Sequence, residues 1–172
     1  MDNPNGSAVD NSLYIDLQRF LFREAALLDR RDYAGWFSLL TDDVRYCVRA
    51  MVSRDAGSVP VDYAIIDENS VALKSRIDQI SNAKLTRAEN PPSFTRRVVS
   101  NIEAYHDQDR ADVRVISSLL AYRNRPNVPE GSFYVAQRED IVRKVGSEWK
   151  LASRCVRLDQ TMIFDGALST LL

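Results

Sequence analysis

Val44-Arg45-Tyr46-Cys47-Val48-Arg49-Ala50-Met51-Val52 decides how this chain is read, because its apolar side chains stop recurring every three to four positions and begin to alternate. Val44, Tyr46, Val48, Ala50 and Val52 fall on one side, and Arg45, Cys47, Arg49 and Met51 on the other. Neighbouring side chains of a strand point to opposite faces, so this pattern predicts a strand with one buried face. Upstream the period is helical. Leu13, Leu17, Phe20, Leu21, Leu27 and Leu28 share a stripe, with Arg19, Arg23, Arg30 and Arg31 left for the outer face. Asp32 can cap a second, shorter helix carrying Tyr33, Trp36, Phe37 and Leu40, which ends at Thr41-Asp42-Asp43.

Downstream, after a break at Gly57 and Pro60, Asp67 can cap a third helix in which Ser70, Leu73, Ile77 and Ile80 share a face. Asn90-Pro91-Pro92 stops regular structure and marks a hinge between the two halves. The second half reads as strands throughout: Arg97 to Tyr105, Asp112 to Tyr122, Ser132 to Lys144 and Trp149 to Leu158. His106 to Arg110, Asn124 to Gly131 and Gly146-Ser147 supply the turns. Helices followed by a meander predict an α+β fold with helices on one sheet face. That plan resembles the cone-shaped, nuclear-transport-factor-two-like superfamily, which also includes ketosteroid isomerase. The resemblance implies N-terminal helices packed on a curved, mainly antiparallel sheet. Residues 1–10 read as a flexible N-terminal tail and residues 11–172 as a single α+β cone domain.

Composition narrows the function. Lys and Arg number 23 against 24 Asp and Glu, so no global positive field attracts nucleic acid or anionic membrane. No apolar run reaches the roughly 20 residues that span a bilayer, and Met1 to Ser7 lacks the order of a signal peptide, so the expected location is the cytoplasm. Cys47 and Cys155 are expected to be reduced core thiols.

One histidine, His106, occurs in the whole sequence. A Rieske cluster takes two histidines with two cysteines, and a mononuclear non-haem iron site takes two histidines and a carboxylate. This chain alone can build neither. His106, beside Asp107 and Asp109, reads as a solvated turn residue, and Asp42-Asp43 as turn chemistry rather than a metal site. Glu24 stands out, because it interrupts the apolar stripe of the first helix. A carboxylate there either pairs with a strand arginine, Arg97, Arg138 or Arg154, or serves as an acid or base in the cone mouth. Tyr33, Trp36 and Phe37 read as core packing, with a pocket lining as the alternative. The apolar stretch Met162, Ile163, Phe164, Leu168, Leu171 and Leu172 must be covered by this chain or by another subunit.

Four segments resemble the beta (small) subunits of bacterial Rieske non-haem iron aromatic-ring-hydroxylating dioxygenases. They are Phe22 to Asp29 with Trp36, Leu39 to Val44 and Tyr46; Glu89 to Ser93 with Thr95 to Arg97 and Val99 to Asn101; Arg138 to Asp140 with Trp149 to Ala152 and Arg154; and Leu158 to Thr161 leading to Leu168-Ser169. Phe94 departs from the pattern where many relatives carry arginine, as do Leu171-Leu172 where an aromatic residue is common. The resemblance implies a non-catalytic structural subunit in a complex of three alpha and three beta chains. The alpha partner would hold the Rieske 2Fe-2S cluster and the mononuclear iron, with no cofactor in this chain. Reductase and ferredoxin would pass it electrons from NADH, and an arene and dioxygen would yield a cis-dihydrodiol. Arg97, Arg138, Arg154, Asp159, Leu171 and Leu172 are the expected interface residues. The competing readings are an autonomous cone-fold hydratase or isomerase using Glu24, Tyr46 or His106, which needs an open polar cavity, and a small-molecule binding module, which needs an apolar one.

Overall fold

The computed structural model describes residues 6–52, 61–82, 89–107, 111–126, 129–160 and 169–172. Helix α1 (Asn11–Asp29) starts where the Asp10 carboxylate accepts the Leu13 N–H, and its apolar stripe buries Leu17, Phe20, Leu21, Leu27 and Leu28. Past its end at Asp29, a φ of 58° at Arg31 turns the chain so that Arg31 and Asp32 donate back to the Leu28 and Leu27 carbonyls. Asp32 then caps α2 (Tyr33–Ser38), accepting from the Gly35 N–H.

Strand β1 (Leu40–Val52) begins earlier than the alternation alone suggests. Thr41, Asp42 and Asp43, expected to form a turn, are strand residues, because Leu40 pairs with Leu151 across the sheet and the Leu39 carbonyl accepts the Leu151 N–H. Strand β2 (Val61–Asn69) occupies a stretch not read as a strand. Asn69, rather than Asp67, caps α3 (Ser70–Ser81) by accepting the Ala72 N–H. The break at Gly57 and Pro60 lies outside the described residues.

Strands β3 (Phe94–His106), β4 (Val113–Asn124), β5 (Ser132–Val145) and β6 (Glu148–Leu158) form the expected meander. Gly146, at φ 62°, opens the two-residue β5–β6 turn, a position that suits a residue without Cβ. The six strands run in the order β2-β1-β6-β5-β4-β3, mainly antiparallel, with β1 and β6 parallel. Pairing slips at Asn101-Ile102 in β3, at Ala152 in β6 and at Ile65 in β2, where an extra residue on one strand opposes its neighbour. Such bulges bend a strand and increase its twist, which curls the sheet around the helices. Asn101 adopts φ 50°, a left-handed conformation that asparagine tolerates well.

The helices cover the inner face, α1 against β3 and α3 against β1 and β2. Val44, Tyr46 and Val48 from β1, Val115 and Leu119 from β4, and Val142, Leu151 and Val156 from β5 and β6 meet them in one core. Burying each of the larger aliphatic side chains is worth roughly 1.5–3 kcal/mol. Ser7 to Val9, read as part of the tail, run along β3: Val9 donates to the Ala104 carbonyl and His106 donates to that of Ser7.

Candidate functional site

The inner face carries charge at its centre. Glu24, Arg138, Asp140 and Arg154 are each 0% exposed. Strand parity explains the last three, since Arg138 and Asp140 are two apart on β5 and Arg154 lies opposite Asp140 on β6. Arg154 grips both Asp140 oxygens at 2.8 Å with Nε and Nη2, and its Nη1 reaches Glu24 Oε1 at 2.7 Å. Arg138 Nη1 lies 3.3 Å from Glu24 Oε2, and the Trp36 indole donates to Oε1 at 2.6 Å. Glu24 therefore pairs with two of its three expected partners. Arg97 goes instead to Asp29, at 2.7 Å.

Electrostatics follow from this packing. Burial would raise the Glu24 pKa, but the charges of Arg154 and Arg138 and the hydrogen bonds from Arg154 and Trp36 outweigh it and hold it at about 2. Near neutrality Glu24 is ionised with both oxygens engaged, so it has no proton to give. Tyr46 is buried with its ring edge-on to Trp36, and burial pushes its hydroxyl above the usual phenol value. That hydroxyl donates to the Leu172 carbonyl and accepts the Leu172 N–H, at 2.9 and 2.8 Å.

Residues 169–172 are held one after another by side chains from separate strands. Arg123 of β4 binds the Ser169 hydroxyl, which donates to Glu89. Arg97 of β3 binds the Thr170 hydroxyl and the Leu171 carbonyl. Arg154 of β6 binds the Leu172 carbonyl at 3.2 Å. Glu89 also pairs with Arg123 and accepts the Ser93 N–H, which fixes the proline segment to β4. Leu171 and Leu172 are 1% and 0% exposed, and they close the inner core beside Tyr46.

The residues expected at an interface are placed as follows within this chain. Arg97, Arg138, Arg154, Leu171 and Leu172 face inward and are used by this chain's own packing. Asp159 alone lies exposed, its N–H bound to the Val135 carbonyl. His106 is exposed at the end of β3, away from the buried cluster. Cys47 and Cys155 are free, but they are half-buried on the outer face rather than in the core. Asp43 meets Arg143, which also binds Asp112, in a surface bridge between strands. Trp36 is core, as expected, whereas Tyr33 and Phe37 are half-buried beside an open groove of about 490 Å³ between α2 and α3. Neither that groove nor one of about 330 Å³ near Arg30 and Glu89 contains Glu24, Tyr46 or His106. Met162, Ile163, Phe164 and Leu168 lie outside the described residues.

The outer face of the sheet is different in character. Val98, Leu120 and Val135 sit in register on β3, β4 and β5, each more than 40% exposed, with Phe133 paired to Tyr122 one row away. Phe94, at the start of β3, is 74% exposed. Sequence reasoning missed this patch, although its parity is opposite to that of the buried Val99, Leu119 and Ala136.

Helices on a curled, mainly antiparallel sheet define a cone-shaped α+β protein, and solved structures agree. The chain superposes on a putative scytalone dehydratase from Novosphingobium aromaticivorans with a TM-score of 0.62 at 19% identity, covering 87% of this chain and 85% of that one. Against a naphthalene 1,2-dioxygenase structure with indole bound in its active site, the TM-score is 0.86 at 23% identity, covering 96% and 89%. The family described as ring hydroxylating beta subunit matches residues 23–165, and this chain belongs to it. Biphenyl 2,3-dioxygenase subunit beta of Rhodococcus jostii is 32% identical, covering 94% of this chain and 89% of that protein. Benzene 1,2-dioxygenase subunit beta of Pseudomonas putida is 28% identical, covering 90% and 86%.

Proposed function

We propose that this chain is the structural, non-catalytic subunit of the terminal oxygenase of an aromatic-ring-hydroxylating dioxygenase. Its work is to hold alpha subunits, three with three beta chains, so that one subunit's Rieske cluster can reach a neighbour's mononuclear iron. Ferredoxin and reductase would deliver electrons from NADH to that assembly in the cytoplasm, and an arene would leave as a cis-dihydrodiol. The cluster and the iron do not fit this chain, whose sequence offers one histidine where each site needs two.

The observation that carries the reading is that the inner-face candidates among the described residues are engaged by this chain's own groups. Glu24 is held by Arg138 and Arg154, Tyr46 is engaged by Leu172, and His106 sits outside. A hydratase or isomerase needs an acid or base within reach of a substrate, and the three residues suggested for that task are occupied or remote. A binding module needs an apolar cavity, and Leu171 and Leu172 take part in filling the core instead. With the inward arginines committed to the fold, the patch at Val98, Leu120, Phe133 and Val135 is the surface we assign to the large subunit.

The test is to purify the chain alone and together with its alpha subunit. Expected are an isolated chain without stoichiometric iron or turnover, and an assembled complex carrying iron-sulfur absorbance. Turnover by the isolated chain would overturn the proposal.

A further inference from the structure

Cys47 on β1 and Cys155 on β6 are direct partners in the parallel register. Their side chains share the outer face, both half-buried and both free. Adjacent strands lie about 4.8 Å apart, within the roughly 4.4–6.8 Å between Cα atoms that a disulfide spans. The paired register sets the two thiols side by side on that face. Arg49 Nε approaches Cys47 Sγ at 3.2 Å, and the charges of Arg157 and Arg49 bear on Cys155. Two thiols in register beside two guanidinium groups form a pair that the chemistry described above does not use.

We propose that Cys47 and Cys155 are a reversible modification site, joined as a cross-strand disulfide when the assembled protein meets hydrogen peroxide. The Cys47 thiolate, next to Arg49, attacks one peroxide oxygen; the O–O bond breaks, giving a sulfenic acid on Cys47 and hydroxide. Hydroxide takes the Cys155 proton. The Cys155 thiolate then attacks the Cys47 sulfur, the S–O bond breaks, and the departing hydroxide is protonated to water. Two thiols and one peroxide become one disulfide and two waters, the sulfurs losing the two electrons that peroxide gains. Burial and the neighbouring Cys47 raise the Cys155 pKa, which makes Cys155 the poorer first attacker on peroxide. The product would staple β1 to β6, the parallel seam where the first and last of the described strands meet.

The experiment treats the co-purified complex with equimolar hydrogen peroxide and follows alkylatable thiols, intact chain mass and peptide linkage. Both thiols should disappear together with the loss of two hydrogen atoms, a linked Cys47–Cys155 peptide should appear, and dithiothreitol should reverse both. In C155S, Cys47 should persist as a sulfenic acid captured by dimedone, and in C47S, Cys155 should react roughly tenfold more slowly. Thiols that remain alkylatable, links between chains, independent oxidation of the two sulfurs to sulfinic acids, or equal rates in the two variants would each overturn the proposal.

Discussion

On its helix-covered side the sheet buries Glu24, Arg138, Asp140 and Arg154 completely, while on its other side Val98, Leu120 and Val135 stand in register with more than 40% of their surface in water. Charge inside and hydrocarbon outside reverse the usual arrangement, and each costs free energy unless something compensates. Inside, the compensation is visible, because every acidic oxygen of the cluster meets a guanidinium or an indole. Outside, it would come from a partner. The inner region is therefore where the chain specifies its own fold, and the outer region is the one we assign to a partner.

The sharpest way to break this contrast is to unbalance the interior. Glu24→Ala leaves Arg138 and Arg154 short of a buried countercharge, a change expected to cost about 3–5 kcal/mol in urea unfolding. Glu24→Leu with Arg138→Met, which removes charge from both sides, should recover part of that loss. Leu172→Ala opens the core beside Tyr46 and should cost about 2–5 kcal/mol. Deleting residues 169–172 should do more than weaken assembly: Arg97, Arg123 and Arg154 each lose an acceptor, so the isolated chain itself should unfold at lower denaturant.

Acid should act through the same cluster. The folded pKa of Glu24, about 2, lies below its ordinary value of 4.5, so the stability it contributes is present above pH 4.5 and is lost as pH falls toward 2. The shift corresponds to roughly 3 kcal/mol, and Glu24→Ala should flatten the pH dependence of unfolding across that window. At the outer face the expected stability change is small. Leu120→Asp should alter the isolated chain by no more than about 0.5 kcal/mol, with its circular dichroism unchanged. His106→Ala should change neither stability nor assembly measurably, since its side chain is exposed and its strand pairing runs through the backbone.

Much of this was legible in the sequence. The period change near Val44, the four later strands and the pairing of Glu24 with strand arginines follow from side-chain periodicity and from the cost of an unpaired buried charge. Strand β2 escaped because Val61–Asn69 breaks the alternation, apolar at Ala64, Ile65 and Ile66 on both faces, and is rich in the carboxylates that also announce helix starts. The contacts of residues 169–172 escaped for another reason: Arg97, Arg123 and Arg154 are spread over three strands, and only the curl of the sheet brings them to one end of the core. Apolar residues near a chain end read equally well as interface or core, and the anchoring arginines decide for core. Asp140 was within reach, being two residues from Arg138 on one strand face, but a carboxylate beside an arginine reads first as a solvated pair.

The central claim is that the interior holds the fold and the exterior holds the large subunit. Size-exclusion chromatography of the chain co-expressed with its alpha partner, read at 280 nm and in the iron-sulfur absorbance band, measures it for wild type, Leu120→Asp and Glu24→Ala side by side. The account predicts that wild type co-elutes with the absorbance, Leu120→Asp elutes folded and alone, and Glu24→Ala yields little folded chain. A Leu120→Asp chain that keeps its place in a complex of unchanged size would contradict it.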